Sequence, residues 1–581
     1  MLQSSTIIHR LIEQAEACPD RVAFAWIDRH LEITRQVRYG ELLARVADGA
    51  AYLLTMAQPG DRVLIFFEPG LDPLVAFLAV LAARMIAVPT ALPPMAATAV
   101  ETGGHRATSR LSAVRNTVRD CAPRVVFSST ASTATVAGIL RECDHAPALH
   151  HLAELVAAGT NGSNKNERGV VSALTAALPS PEEIAFLQYT SGSTALPKGV
   201  AITHANIAHN QAGITRFVGS RPDTICVSWL PMFHDMGLVG NALNTIWSGC
   251  ICIKLGSADF LRRPTLWMEA VSKFRGTVTG GPNFAFQLAT TRGVPEGKKL
   301  DLSTLSACYC GSESVRRETL DGFASAFAPH GLQREVLLPC YGLAESTLIV
   351  TGIRRRETAF HTALPPAQHA PSAFVHAQRA EVVSCGSVTC PDADLSIRDT
   401  GTQQVLPNGE IGEICIFSRS VSPGYWAELK NETRRFADTA RPLRTGDLGF
   451  LLDGELYVCG RIKNTVIVRG RKFIAEDLED MLEQELQSLG RVRAAVFAVS
   501  GDDGESVVAV IECGGPLASL DTAQLTSRIN QVFSELCGFV PTHVAVVRPS
   551  TLPRTTSGKL QRHACAELLQ RDLLARTPAS A

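Results

Sequence analysis

The chain has 581 residues, 46% hydrophobic and 19% charged, with 45 glycines and 31 prolines. That length exceeds one ordinary domain, and the composition suits a loop-rich α/β protein rather than a fibre or a disordered chain. A formal net charge of -1 excludes the standing basic excess by which a protein holds nucleic acid or an anionic membrane surface.

The opening MLQSSTIIHRLIEQAEACPDR is amphipathic and lacks the apolar core of a signal peptide. GDRVLIFFEPG, from Gly60, predicts a strand between turns, DPLVAFLAVLAARM a buried helix and IAVPTALPP a second strand. Asp72 and Arg84 interrupt the apolar region 71–89, which falls short of a membrane span. Strand and helix pairs follow at CAPRVVFSS, TICVSWLPM and GTVTGGPNFAFQLAT, and this alternation predicts a largely parallel sheet covered on both faces. GTNGSNKNERG is read as exposed loop. From about residue 384, LSIRD, GEIGEICIFS and DGELYVCG predict short strands of a small β-rich subdomain. After GRIKN, at 460–464, the order strand, helix, strand, helix, strand predicts a separate C-terminal α/β domain. The 16 cysteines hold two CxC pairs but no CxxC clusters, which argues for buried thiols in a reducing, cytoplasmic setting rather than structural zinc.

Seven stretches carry residues suited to chemistry. YTSGSTALPKG, at 189–199, is either a surface turn or a phosphate cradle, its N–H groups and hydroxyls facing an anion with Lys198 adding charge. It lacks the Walker spacing. WLPMFHDMGLVG puts His234 and Asp235 among apolar residues, as a capped helix start or beside a substrate pocket. GGPNFAFQL predicts a tight turn into an aromatic helix that suits a core or an apolar channel. CGSESV is a small-residue turn that admits a flat ring. CYGLAES offers Tyr341 as a stacking face and Glu345 as an oxygen ligand suited to Mg²⁺. RTGDLGFLLDG places Asp447 in a predicted turn, as a cap or as an acceptor for two ribose hydroxyls. LPRTTSGKLQR sets Lys559 near the C-terminus, either solvated or closing over a polyanion. Together these describe ATP chemistry.

In this order the motifs resemble those of the acyl-adenylate-forming superfamily, and YGLAES and FHDMGL resemble its fatty acyl-AMP ligase branch, over nearly the whole chain. The resemblance implies an α/β fold: a large N-terminal domain, 1–463, of two sheet-and-helix subdomains plus the β-rich subdomain at about 384–460, then a small mobile C-terminal domain, 464–581. It implies a branch-type insertion at about 351–381. Thr190, Ser191, Gly192, Ser193, Thr194 and Lys198 would hold the phosphates of ATP, and Gly311, Ser312, Glu313 and Tyr341 would frame adenine. Asp447 would clamp the ribose beside Arg461, Glu345 would carry Mg²⁺, His234 would gate the acyl channel, Lys463 would be the hinge and Lys559 the adenylating lysine. The implied partners are a medium- or long-chain fatty acid and a phosphopantetheinylated acyl carrier protein. A fatty acyl-CoA ligase is the alternative, and a silent acyl- or nucleotide-binding homologue a more distant one.

The chain departs from the pattern at three places. Ala195 stands where the phosphate loop has glycine, and Asn464 where an aspartate follows the hinge lysine. RGRKFIAEDLE replaces RGRNHYPQDIE, which bears on acceptor recognition.

Overall fold

The computed structural model describes residues 5–92, 104–143, 147–161, 174–175, 177–190, 197–353, 361–363, 374–375, 381–431, 436, 441–468, 471–486, 492–501, 504–513, 522–549, 551–554 and 560–570. Two large sheets form the N-terminal part. In the seven-stranded sheet the parallel strands Arg62–Phe67, Ile86–Ala91, Val125–Ser128, Ala148–His151 and Ile184–Thr190 lie together. The helix Asp72–Ala82 between the first two is buried from Pro73 to Ala82. It reads as an unbroken apolar run because it is covered on every side.

The nine-stranded sheet has a parallel centre, including Ile225–Ser228, Ile251–Leu255, Val278–Gly281, Ala307–Cys310 and Leu337–Gly342, with antiparallel strands toward its edges. One continuous core joins residues of both sheets. The helix His204–Val218 helps to weld it: its buried Asn210 donates to the carbonyls of Ser346 (3.3 Å) and Ile349 (2.9 Å).

Strands Asp394–Arg398, Gly412–Phe417, Leu443–Leu452 and Glu455–Arg461 form an antiparallel four-stranded sheet, the β-rich unit expected from the sequence. Asp447 is not in a turn, as the sequence suggested, but inside the strand Leu443–Leu452. Gly446, at φ 72°, sits beside an irregular register in that strand and kinks it without ending it. Past residue 464 a hairpin of Thr465–Val468 and Arg471–Ile474 leads to the helix Ala475–Glu485, a three-stranded sheet and two further helices with a core of their own. The hairpin's second strand, within the unusual KFIAE stretch, was not foreseen. The strand Ile349–Gly352 pairs inside the large sheet, and residues 374–375 pair with 472–473. Most of the remaining candidate insertion lies outside the described residues. No disulfide links any described cysteine. Among the described residues no helix is long and apolar enough to cross a membrane.

Candidate active site

The carboxyl ends of the parallel strands in the nine-stranded sheet open onto one cleft of about 2220 Å³. Open α/β sheets bind their ligands at this end, where the strand-to-helix loops converge. The strands Ile184–Thr190 and Lys198–Thr203 form an antiparallel hairpin with Thr190 opposite Lys198, so both flanks of the expected phosphate loop line the cleft. Ser191, Gly192, Ser193, Thr194 and Ala195 lie outside the described residues. The Lys198 ammonium stands 4.7 Å from the ring centroid of Tyr425. Tyr425 in turn donates a 2.8 Å hydrogen bond to Glu345 Oε1. A cation, an aromatic face and a carboxylate are thus joined across three distant segments.

Glu345 sits in a short turn, Ala344–Ser346, between strands Leu337–Gly342 and Ile349–Gly352. A Cβ on Gly342 would stand 1.9 Å from the Leu348 carbonyl oxygen, so this sharp reversal accepts only glycine there. Asp447 and Arg461 face each other in register on adjacent antiparallel strands, with Nε 2.6 Å from Oδ1. Tyr341 donates to the other oxygen, Oδ2, at 2.8 Å. Burial, and then the Asp447 carboxylate, push the Tyr341 hydroxyl well above its ordinary range and keep it a donor. Asp447 Oδ1 is buried and receives no aligned hydrogen bond despite the nearby guanidinium. An acceptor so placed fits a ribose hydroxyl.

The expected adenine frame is resolved into two roles. Ser312 lines the cleft in a left-handed conformation, φ 73°, which is uncommon for a residue with a Cβ. Glu313 also lines it, but its Oε1 accepts from the Phe284 N–H at 2.5 Å, capping the helix Asn283–Arg292. Gly311 is not part of the cleft wall. A Cβ there would meet the Cys340 carbonyl and sulfur at 2.8 Å, so strand packing accounts for this glycine.

His234 precedes a single helical turn, Asp235–Gly237, that continues as a π-helix over Leu238–Leu243. Such π segments recur at functional sites. Its ring packs against Phe233, whose carbonyl accepts from Gln188 Nε2 at 3.0 Å. Gly237 is required because a Cβ would lie 2.1 Å from the Pro231 oxygen. The cleft is lined as well by the apolar Ile214, Phe217, Val218 and Val278, with Asn241, Asn244 and Thr245 among them. One cavity therefore brings apolar side chains together with Lys198, Glu345, Asp447 and Arg461.

Residues 11–426 match the family model of AMP-binding enzymes. The chain belongs to that family. It is 34% identical to a long-chain-fatty-acid–AMP ligase, FadD26, of Mycobacterium marinum, aligned over 97% of each chain. It is 30% identical to a medium-chain-fatty-acid–acyl-carrier-protein ligase, JamA, of Moorena producens, over 97% of this chain and 94% of the relative. A structure solved in work on fatty acyl-adenylate ligases from E. coli and L. pneumophila superposes over 98% of both chains at TM-score 0.82 and 28% identity. The large N-terminal and small C-terminal parts of this AMP-binding enzyme match that fold.

Two of the departures explain each other. Asn464 Nδ2 donates to Glu476 Oε1 at 2.5 Å. Where the resembled pattern has an aspartate and a glutamine at these two positions, this enzyme has an asparagine and a glutamate, so carboxylate and amide are exchanged between them. The moved carboxylate also reaches Arg562 Nη1, at 3.0 Å. Tyr425, Arg562 and Glu476 escaped sequence reasoning because each acquires its role only from a partner far along the chain. Arg562 was in view within SGKLQR, without a partner to give it meaning. Lys559 lies outside the described residues, while Arg554 and Leu560 pair with each other and line the cleft.

Lys463 also lines the cleft, just past Arg461. Burial first, and the neighbouring Arg461 charge second, lower its ammonium to about 8. An unfolded lysine titrates near ~10.4, so the native chain binds fewer protons through this group between the two values. The cost of keeping it charged is present in full below the lower value and disappears above the higher, so its effect on stability improves as pH rises. Reductive ¹³C-methylation followed by NMR titration should show one lysine resonance moving near pH 8. That resonance should vanish in Lys463→Arg and shift to higher pH in Arg461→Ala; titration of every lysine near ~10.4 would contradict the assignment.

Proposed function

We propose that this enzyme uses ATP to convert a medium- or long-chain fatty acid to its acyl-adenylate, releasing pyrophosphate, and passes the acyl group to the phosphopantetheine thiol of an acyl carrier protein. The observation that carries the reading is one cleft lined both by apolar side chains, Ile214, Phe217, Val218 and Val278, and by Lys198, Glu345, Asp447 and Arg461. An ammonium in the apolar part would need a countercharge, whereas a hydrocarbon chain gains roughly 0.8 kcal/mol for each methylene buried. The similarity to a fatty-acid–AMP ligase and to a carrier-protein ligase supports the same substrate class and acceptor.

In the first step a carboxylate oxygen bonds to the α-phosphorus and the bond to the departing pyrophosphate breaks. Both reactants are anions. Lys198, on the loop flank, and Lys559 are assigned to offset that repulsion, Lys559 at the reacting centre. Asp447 and Arg461 hold the ribose, Tyr341 and the Ser312 loop the base, and His234 separates the chain from the nucleotide. Among the described residues no group of three or more His, Cys, Asp or Glu side chains is placed to hold a metal. Glu345 would be the carboxylate that holds a Mg²⁺ ion brought with ATP, and the ion would supply neutralisation of phosphate charge. In the second step the thiol sulfur bonds to the acyl carbon, the proton leaves the thiol, and AMP departs with the bridging oxygen. We assign the boundary of the mobile C-terminal domain to Lys463; a separate core that begins at Val466 supports it.

Lys559→Ala should lower fatty-acid-dependent acyl-adenylate formation about 100-fold or more, the scale seen when a donor to developing transition-state charge is removed, with ATP affinity within about threefold. Equal loss of binding and turnover would move the lysine from the reacting centre to ground-state binding. Given preformed acyl-adenylate, holo-carrier protein should be acylated faster than coenzyme A at equal thiol concentration. Both acceptors present the same thiol, so the difference must come from the surfaces around it. Faster transfer to coenzyme A would replace this reading by an acyl-CoA ligase.

A further inference from the structure

The helix Ala475–Glu485 turns an acidic face toward the cleft. Its opposite face buries Leu478, Met481 and Leu482 in the C-terminal core, so the helix moves with that unit. Four carboxylates on the acidic face are engaged. Glu476 accepts from Asn464, beside the hinge, and pairs with Arg562, three residues beyond Lys559. Glu479 pairs with Arg562 as well, at 2.5 Å, and accepts from the Val496 N–H at 2.9 Å. Asp480 and Glu483 reach in the other direction, to Arg316 of the N-terminal body.

Arg316 directly follows the Ser312–Val315 loop that lines the nucleotide end of the cleft. Its backbone N–H is held by Asn283 Oδ1 at 3.0 Å, which fixes it to the helix that Glu313 caps. One guanidinium nitrogen contacts Asp480 Oδ1, and the other lies 3.1 Å from Glu483 Oε2. Positions 480 and 483 are one turn apart on the same helix face, so a single fork engages both. Glu483 is held in place independently by the Ala494 N–H, at 3.1 Å. The three side chains are only one quarter to one third exposed, which limits solvent screening.

We propose that Arg316 is a positioning residue: a latch that holds the C-terminal domain in the orientation serving adenylation and that must release before the acyl group is transferred. The inference deepens the functional reading above and rests on it. The latch ties the nucleotide loop to the helix carrying Glu476 and Glu479. Through Arg562 those carboxylates hold the segment that follows Lys559. Docking the helix on Arg316 therefore sets that segment against the cleft, where Leu560 and Arg562 contribute to the wall. A rotation of the C-terminal unit about residue 463 carries positions 480 and 483 away from Arg316, so the orientation used for the second step forgoes both ion pairs.

The test compares Arg316→Glu, Asp480→Arg and the double variant in the full-length enzyme, with the two steps measured separately: fatty-acid-dependent pyrophosphate release, and transfer from preformed acyl-adenylate to holo-carrier. Each single variant should lose about tenfold in the first step, as for a charge pair whose partner is reversed, and the double variant should recover to within about threefold of wild type. Asp480→Arg should transfer at the wild-type rate or faster, which also shows that it is folded. Unchanged pyrophosphate release in both single variants, or an equal fall in both steps with no recovery in the double, would overturn the latch. Wild-type protein that releases no pyrophosphate with any fatty acid would overturn the functional reading and the latch together.

Discussion

The cross-strand pair of Asp447 and Arg461 is the contact on which the site turns. It stands at the end of the β-rich sheet, two residues before Lys463, and so marks the last fixed point before the chain leaves for the C-terminal unit. Tyr341 joins it from the nine-stranded sheet. Two subdomains are thereby held together through one carboxylate. Asp447 is almost fully buried, while Arg461 keeps 44% of its side chain exposed, so much of the ion pair's Coulomb energy is screened. Its value is geometric: it holds the carboxylate between the Arg461 guanidinium on one oxygen and the Tyr341 hydroxyl on the other.

From that point the cleft works as two environments in series. The part of the cleft lined by Glu345 and Asp447 is assembled from strand ends and a turn, where glycine permits the close approach at Gly342. Elsewhere the cleft is lined by His234 and by the apolar Ile214, Phe217 and Val218 of the helix His204–Val218. The C-terminal helix adds acidic side chains that engage basic residues on both sides of it.

Much of this was legible in the sequence because the informative motifs are local. The strand that ends at Thr190, the reversal carrying Glu345 and the start of the helix after GGPN each show their geometry within a dozen residues. Asp447 was assigned to a turn because a glycine precedes it, and nothing local distinguishes a kinked strand from a turn. Tyr425 was invisible for a different reason: its partner Glu345 is 80 residues away. Arg316 and Asp480 are separated by 164 residues, and only the folded topology brings them together. The KFIAE stretch lost the resembled proline and so reads poorly as a helix start, yet β-branched and aromatic residues let it form an added strand.

In the proposed reaction a fatty carboxylate attacks the α-phosphate of ATP, and AMP leaves when the acyl group reaches its thiol. Fatty acid labelled with ¹⁸O in both carboxyl oxygens, given to the enzyme with ATP and holo-carrier protein, follows the bridging atom directly. Mass spectrometry should find one ¹⁸O in AMP, one in the thioester and none in pyrophosphate. Label in inorganic phosphate beside ADP, or unlabelled AMP formed with the thioester, would contradict the account.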